Sequence, residues 1–243
     1  MYCRRLVSTS GGSGYGRCYY DGSHRPRSAA RRPRKNKTKE AQAEHNRRAS
    51  LDKLTWKLNE NFRVDDLWVS LTYKPPFNKE RTYEQMLRDL RLFFAKMRRA
   101  EAKTGEKFRC MYSVEVGKRG SRHFHMVAPA AFKQAIRKAW KLGIADIREV
   151  RPQEDCGTYD KIAEYMIKSS DKTRKTLEND RIPRYNGTRN LKQPPVEVKE
   201  LRRDLPPEDQ LYCPKGWRIV PDSVKKYENE YGYLTIDYVY LRC

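Results

Sequence analysis

Two kinds of hydrophobic spacing alternate through the middle of the chain. Leu67–Tyr73 (LWVSLTY) is rich in β-formers and runs into Pro75 and Pro76, which predicts a strand that stops there. Over residues 82–103, Leu87, Leu90, Phe94 and Met97 fall on one stripe of an amphipathic helix. Phe108–Val116 and Arg122–Ala128 then read as two strands around a tight turn. Phe132–Leu142 reads as a second helix, Ile144–Val150 as a further strand and Thr158–Lys172 as a third helix. The order β-α-β-β-α-β-α predicts an α+β fold: a ferredoxin-like antiparallel sheet with flanking helices.

The flanks differ in texture. Residues 1–37 are rich in Gly, Ser, Arg and Pro and predict a disordered basic arm. Residues 38–62 are a helical extension, with Leu51, Leu54 and Leu58 at helical spacing. The sheet domain spans 63–195. Residues 196–243 form a C-terminal appendage of unassigned role, whose Tyr-rich end (211–243) predicts a small β element.

Charge narrows the partners. Lys and Arg number 53 against 31 Asp and Glu, a net +22, and a surplus this large attracts polyanions, nucleic acid above all. Over residues 1–50 alone, thirteen basic residues oppose three acidic ones. A passive tail or a purely structural nucleic-acid binder would show the same excess. Six cysteines without a CxxC pair exclude a zinc ribbon and fit a reduced, cytoplasmic setting in a host cell. No apolar run approaches the roughly 18 residues of a membrane span, so no membrane partner is expected.

The densest chemistry lies between Glu115 and His125. Residues two apart on a strand share a face, so His123 and His125 project together. A three-residue loop, Lys118-Arg119-Gly120, would put glycine in the left-handed position such hairpins need and set His123 opposite Glu115. Tyr112, Val114, Val116, Phe124, Met126 and Ala128 would then share one face, and Ser113, Glu115, His123 and His125 the other. Two imidazoles and a carboxylate make a three-ligand metal site with open positions. A four-residue loop would oppose Glu115 to Arg122 and turn the carboxylate away. A His-x-His pair on its own is more often plain surface.

The third predicted helix has two faces. Tyr159, Ile162, Ala163, Met166 and Ile167 gather on one, Lys161, Tyr165, Lys168 and Lys172 on the other. Tyr165 therefore has Lys161 at i−4 and Lys168 at i+3. Nearby ammonium groups favour the phenolate and draw in a phosphate. An ordinary basic helix face carrying a tyrosine would look alike.

Taken together, these segments resemble the HUH endonucleases, in particular the replication-associated proteins of small phages, plasmids and prophages. Trp68-Val-Ser-Leu-Thr72-Tyr73 is similar to the family's first motif, Arg119-Gly-Ser-Arg-His123-Phe-His125-Met-Val to its second, and Ile162-Ala-Glu-Tyr165-Met-Ile-Lys168 to its third. Gly187-Thr-Arg-Asn-Leu191-Lys-Gln-Pro is similar to a Ser-Arg-Asn-Leu signature of phage-type members. The resemblance covers about Asn61 to Pro195. It implies Mg²⁺ or Mn²⁺ on His123, His125 and Glu115, Tyr165 as the nucleophile that forms a 5′-phosphotyrosine bond, and Lys168 as its helper. It also assigns Thr72, Lys161, Lys172, Arg119 and Arg122 to DNA binding, on a single-stranded or hairpin origin.

Two departures stand out. Ser169 sits where many relatives carry a further tyrosine, and Tyr159 lies on the opposite helix face from Tyr165. A single nucleophile follows, which favours a homodimer for consecutive nicks. The chain has no GxxxxGK[ST] motor motif, so unwinding would fall to a host helicase. An HUH transposase or relaxase shares this chemistry, and a non-catalytic basic nucleic-acid-binding protein shares the charge.

Overall fold

A computed structural model of the chain describes residues 3–10, 12–20, 39–117, 120–151, 158–201, 204–228 and 234–243. In chain order the strands are β1 (Cys3–Ser10), β2 (Ser13–Tyr20), β3 (Leu67–Tyr73), β4 (Met111–Val116), β5 (Arg122–Ala128), β6 (Gly143–Glu149), β7 (Asn186–Gly187), β8 (Val196–Leu201), β9 (Trp217–Ile219), β10 (Lys225–Glu228) and β11 (Leu234–Arg242). The helices are α1 (Lys39–Asn61), the single turn α2 (Phe77–Glu80), α3 (Tyr83–Thr104), α4 (Lys133–Ala139) and α5 (Asp160–Thr176). They form two compact units, one of Ser50–Arg151 with Tyr159–Lys192, the other of Met1–Ala49, Pro152–Thr158 and Gln193–Cys243.

The first unit holds a five-stranded sheet in the order β6-β3-β5-β4-β7, antiparallel throughout. Its β-α-β-β-α-β core has the ferredoxin-like arrangement that the element order predicts. Strand parity sorts the side chains. Val69, Leu71, Val114, Val116, Phe124, Met126 and Ala128 enter a core with α3 and α4. Met111, Val127 and Trp68 pack on the other face against α5 and residues 51–62. The seam of α3 runs through Met86, Leu90, Phe93 and Met97, while Leu87 and Phe94 are only half-buried. The predicted stripe is thus turned by one position at two places. A Thr82–Gln85 capping box starts this helix, and Gly105 ends it in the left-handed conformation.

Helix α5 is seated on β4 by one hydroxyl. The buried Thr173 Oγ1 accepts the Val116 N–H at 2.8 Å and donates to the Val114 carbonyl at 2.9 Å. It thereby satisfies backbone groups beyond the point where β7 stops pairing at Tyr112. The Asn-Leu stretch acts similarly at the other end of β4. Thr188 Oγ1 accepts the Cys110 N–H, Asn190 Nδ2 donates to the Phe108 carbonyl, and Leu191 is buried with α5.

The second unit corrects the expectation for the N-terminus. Residues 3–20 are not a disordered arm: β1 and β2 form a hairpin inside a sheet ordered β10-β11-β2-β1-β8, with β9 added on β11. The physical reason lies in the glycines, which composition reads as flexibility. Gly14 and Gly16 stand opposite Tyr240 and Tyr238, whose rings cover them; a Cβ at Gly16 would lie 2.0 Å from the Tyr238 ring. The C-terminal segment is accordingly no separate appendage, since β8, β9, β10 and β11 share this sheet with the hairpin. Arg17 makes a two-pronged ion pair with Asp237 at 2.6 and 2.8 Å. Residues 21–38, the rest of the expected arm, lie outside the described residues. No helix among the described residues is long and apolar enough to cross a membrane.

Replacing Thr173 by Val keeps the shape and removes the hydroxyl, leaving the Val116 N–H and the Val114 carbonyl without it. We expect a loss of about 1–3 kcal/mol, read as a lower urea midpoint at unchanged slope.

Candidate active site

The parity that sends Phe124 and Met126 into one core sends His123 and His125 to the opposite face. Gly120 adopts the left-handed conformation (φ 81°), and its N–H donates to the Gly117 carbonyl. The register places Glu115 opposite His123 and Val116 opposite Arg122, as a three-residue loop requires. Across four strands this face reads in rows. Ile144, Thr72, His123 and Glu115 form one, and Asp146, Ser70, His125 and Ser113 the next.

The carboxylate reaches diagonally rather than straight across. Glu115 Oε2 lies 2.8 Å from His125 Nε2, and Oε1 accepts from Lys172 Nζ at 2.7 Å. These two bonds, His125 first and Lys172 after it, hold the Glu115 carboxyl down at about 2 against the opposing effect of burial. The far nitrogens of both rings meet hydroxyls from β3. Ser70 Oγ is 3.1 Å from His125 Nδ1, and Thr72 Oγ1 is 2.9 Å from His123 Nδ1. A hydroxyl can donate or accept, so it holds a ring in either tautomer. Burial lowers the His123 pKa, which favours the neutral, lone-pair-bearing ring. Ser113 Oγ is buried on this face without a partner.

Aromatic packing brings the tyrosine to the cluster. The Trp68 ring stacks on His125, with centroids 5.6 Å apart and planes 5° from parallel. The Tyr165 ring stands edge-on to His125 at 4.9 Å and to Trp68 at 5.7 Å, and Tyr165 remains 48% exposed. Its presentation follows from α5, whose Ala163, Met166 and Ile167 are buried while Lys161, Tyr165, Lys168 and Lys172 face outward. Tyr159 is buried, as its place on the apolar stripe predicts.

The structure therefore gathers His123, His125, Glu115, Tyr165 and Lys172, with Thr72 behind His123. Lys161 and Lys168 are exposed on the same helix face as Tyr165. Arg122 is elsewhere. Its parity puts it on the opposite face of the sheet, where its guanidinium donates to the carbonyls of Asn78, Arg81 and Gly120. Its grouping with the DNA-binding residues of the histidine face is therefore corrected. Arg119 lies outside the described residues. Sequence reasoning missed Ser70 and Ser113, as well as the Lys172–Glu115 pair. Ser70 and Thr72 share a strand face and hydroxyl chemistry, but nothing in the sequence says that β3 borders the histidine strand.

Whether these residues suit a divalent cation can be judged from their donors. Two imidazole rings are held at Nδ1 by hydroxyls, and an ionised carboxylate stands beside them. With Nδ1 as the protonated nitrogen, each Nε2 lone pair is free, and the set suits Mg²⁺ or Mn²⁺ bound through nitrogen and oxygen. Among the described residues no three His, Cys, Asp or Glu side chains converge on one point. Here the carboxylate oxygens are already engaged, by His125 and by Lys172.

Residues 66–173 match a family model of replication-associated proteins, the ORF2 type. The matched stretch runs from the residue before β3 to Thr173 on α5 and contains every residue of the cluster. It is less than half of the chain. No curated protein and no solved structure matches the chain.

In metal-free protein, the ionised Glu115 contributes stability that is complete above the carboxyl's ordinary value near 4.5 and is lost as pH falls through about 2. Glu115→Gln should remove about 2–3 kcal/mol at pH 7 and flatten the stability profile between pH 5 and 2, as followed by denaturation at stepped pH in EDTA.

Proposed function

We propose that the chain initiates replication by nicking and rejoining single-stranded or hairpin origin DNA, with Tyr165 as the nucleophile. The observation that carries this reading is the half-exposed Tyr165 ring set against His125, in the cluster with Glu115 and His123. The match to replication-associated proteins supports it and favours replication over transposition or mobilisation. The net +22 supplies the attraction for the strand.

The Tyr165 oxygen loses its proton and attacks the scissile phosphorus in line. The bond to the 3′ oxygen breaks, that oxygen gains a proton as a 3′-hydroxyl, and the 5′ phosphate stays on the tyrosine. One phosphodiester is exchanged for another, so attack by a 3′-hydroxyl reverses the step and seals a strand. Lys168 and Lys161, one turn to either side of Tyr165, offset phosphate charge and favour the phenolate. Trp68 braces the His125 ring and walls one side of the tyrosine. Ser70 and Thr72 orient the imidazoles. His123, His125 and Glu115 would hold Mg²⁺ or Mn²⁺, which supplies charge neutralisation at the non-bridging phosphate oxygens when bound. With one nucleophile per chain, a second transfer calls on a second copy, and a host helicase unwinds the duplex.

The test is a covalent adduct. Wild type incubated with Mn²⁺ and single-stranded oligonucleotides carrying candidate origins should yield a denaturant-resistant protein–DNA species. Tyr165→Phe should yield none. An adduct that persists in Tyr165→Phe would remove Tyr165 from the role. Tight, salt-dependent binding with no adduct on any origin would make the chain a non-catalytic binder.

The hydroxyls have their own signature. Thr72→Val and Ser70→Ala should each weaken Mn²⁺ binding by about 10–100-fold with the fold intact, as measured by the loss of free Mn²⁺ signal in electron paramagnetic resonance.

A further inference from the structure

We infer that Lys172 is a built-in competitor for the divalent cation: it occupies Glu115 in the metal-free protein and is released toward DNA phosphate when the cation binds. The inference rests on the reading above, in which His123, His125 and Glu115 hold that cation.

Geometry supplies the argument. Lys172 Nζ sits 2.7 Å from Glu115 Oε1, while Glu115 Oε2 meets His125 Nε2 at 2.8 Å. The single carboxylate of the cluster is thus shared between an imidazole and an ammonium. A divalent ion drawing on the same carboxylate must share it with a like charge or displace it. The two partners of the ion pair differ in freedom. The Glu115 side chain is 13% exposed, and that of Lys172 is 44% exposed. Lys172 can therefore swing away at little cost, and Glu115 stays to receive the ion.

Its backbone does not need to move. The neighbouring Thr173 is buried and bonded to both Val114 and Val116, which anchors this turn of α5 on β4. Lys172 lies seven residues beyond Tyr165 on the same helix face, about 10 Å along the axis, with Lys168 between them. A freed ammonium there extends the line Lys161–Tyr165–Lys168 by one more cation, a spacing suited to the next phosphates of a bound strand. Cation loading and strand capture are coupled in this arrangement, because one event exposes the charge the other uses.

The experiment compares Lys172→Met, Lys172→Arg and wild type, all as the full chain. Mn²⁺ affinity is read by electron paramagnetic resonance without DNA. Lys172→Met should bind Mn²⁺ at least about tenfold tighter, and Lys172→Arg, which keeps the competing charge, should stay near wild type. Thermal melting in EDTA verifies folding, and Lys172→Gln serves as the uncharged variant if the methionine does not fold. A second readout uses the Tyr165→Phe background and fluorescence anisotropy of a single-stranded oligonucleotide. There, Mn²⁺ should steepen the salt dependence by about 0.7, one phosphate contact on single strands, and the gain should vanish in Lys172→Met. Equal or weaker Mn²⁺ binding by Lys172→Met and Lys172→Gln would overturn the inference while leaving the cation site standing. No Mn²⁺ binding by any form, wild type included, would overturn the cation site and the inference with it.

Discussion

The side chains of β5 alternate between two environments, and the candidate chemistry depends on that alternation holding. Phe124 and Met126 are fully buried on the α3–α4 side. A slip of one residue would bury His123 and His125 there and expose the aromatic core. Burial of large apolar groups, at about 25 cal/mol per Å², thus pins the imidazoles to the opposite face. Gly120 and the neighbouring strands reinforce the register, but the apolar residues enforce it. A functional pair is held in place by residues that take no part in the chemistry.

From that register the rest of the cluster follows by neighbourhood. β3 lies on one side of β5 and contributes two hydroxyls; β4 lies on the other and contributes the carboxylate. α5 crosses the same face, seated on β4 by Thr173 and by its own apolar stripe, and so delivers Tyr165 next to His125. Trp68 joins both, stacked on the imidazole and edge-on to the phenol. Three strands and a helix therefore meet at one ring, His125, whose two nitrogens and one face are all engaged.

Much of this is legible in the residues. The strand at 67–73 is bounded by prolines, the one at 122–128 by a glycine turn, and both read with the bounds the structure has. The Glu115–His123 register follows from loop length and alternation alone. Arg122 is also legible, since its pairing with Val116 places it on the apolar side; the pull of a basic residue inside a motif outweighs parity. What stays hidden depends on topology. Ser70 meets His125 across 55 positions, and Lys172 meets Glu115 across 57. No local period encodes such meetings. The N-terminal hairpin is hidden for a related reason. Gly14 and Gly16 look like entropy until the tyrosines that cover them, more than two hundred residues later, are brought opposite.

The choice of hydroxyls behind the histidines has an electrostatic logic of its own. A carboxylate at position 70 or 72 would orient an imidazole as well as Ser70 or Thr72 does and would raise its basicity. It would also add a fixed negative charge to the face where a polyanion is proposed to bind. The one carboxylate in direct contact with the imidazoles, Glu115, is countered by Lys172, so the pair is neutral in the metal-free state. Orientation through neutral hydroxyls keeps that balance. The charge at this face is then set by whichever cation Glu115 holds, one positive charge from lysine or two from a metal, and the phosphate responds to the difference.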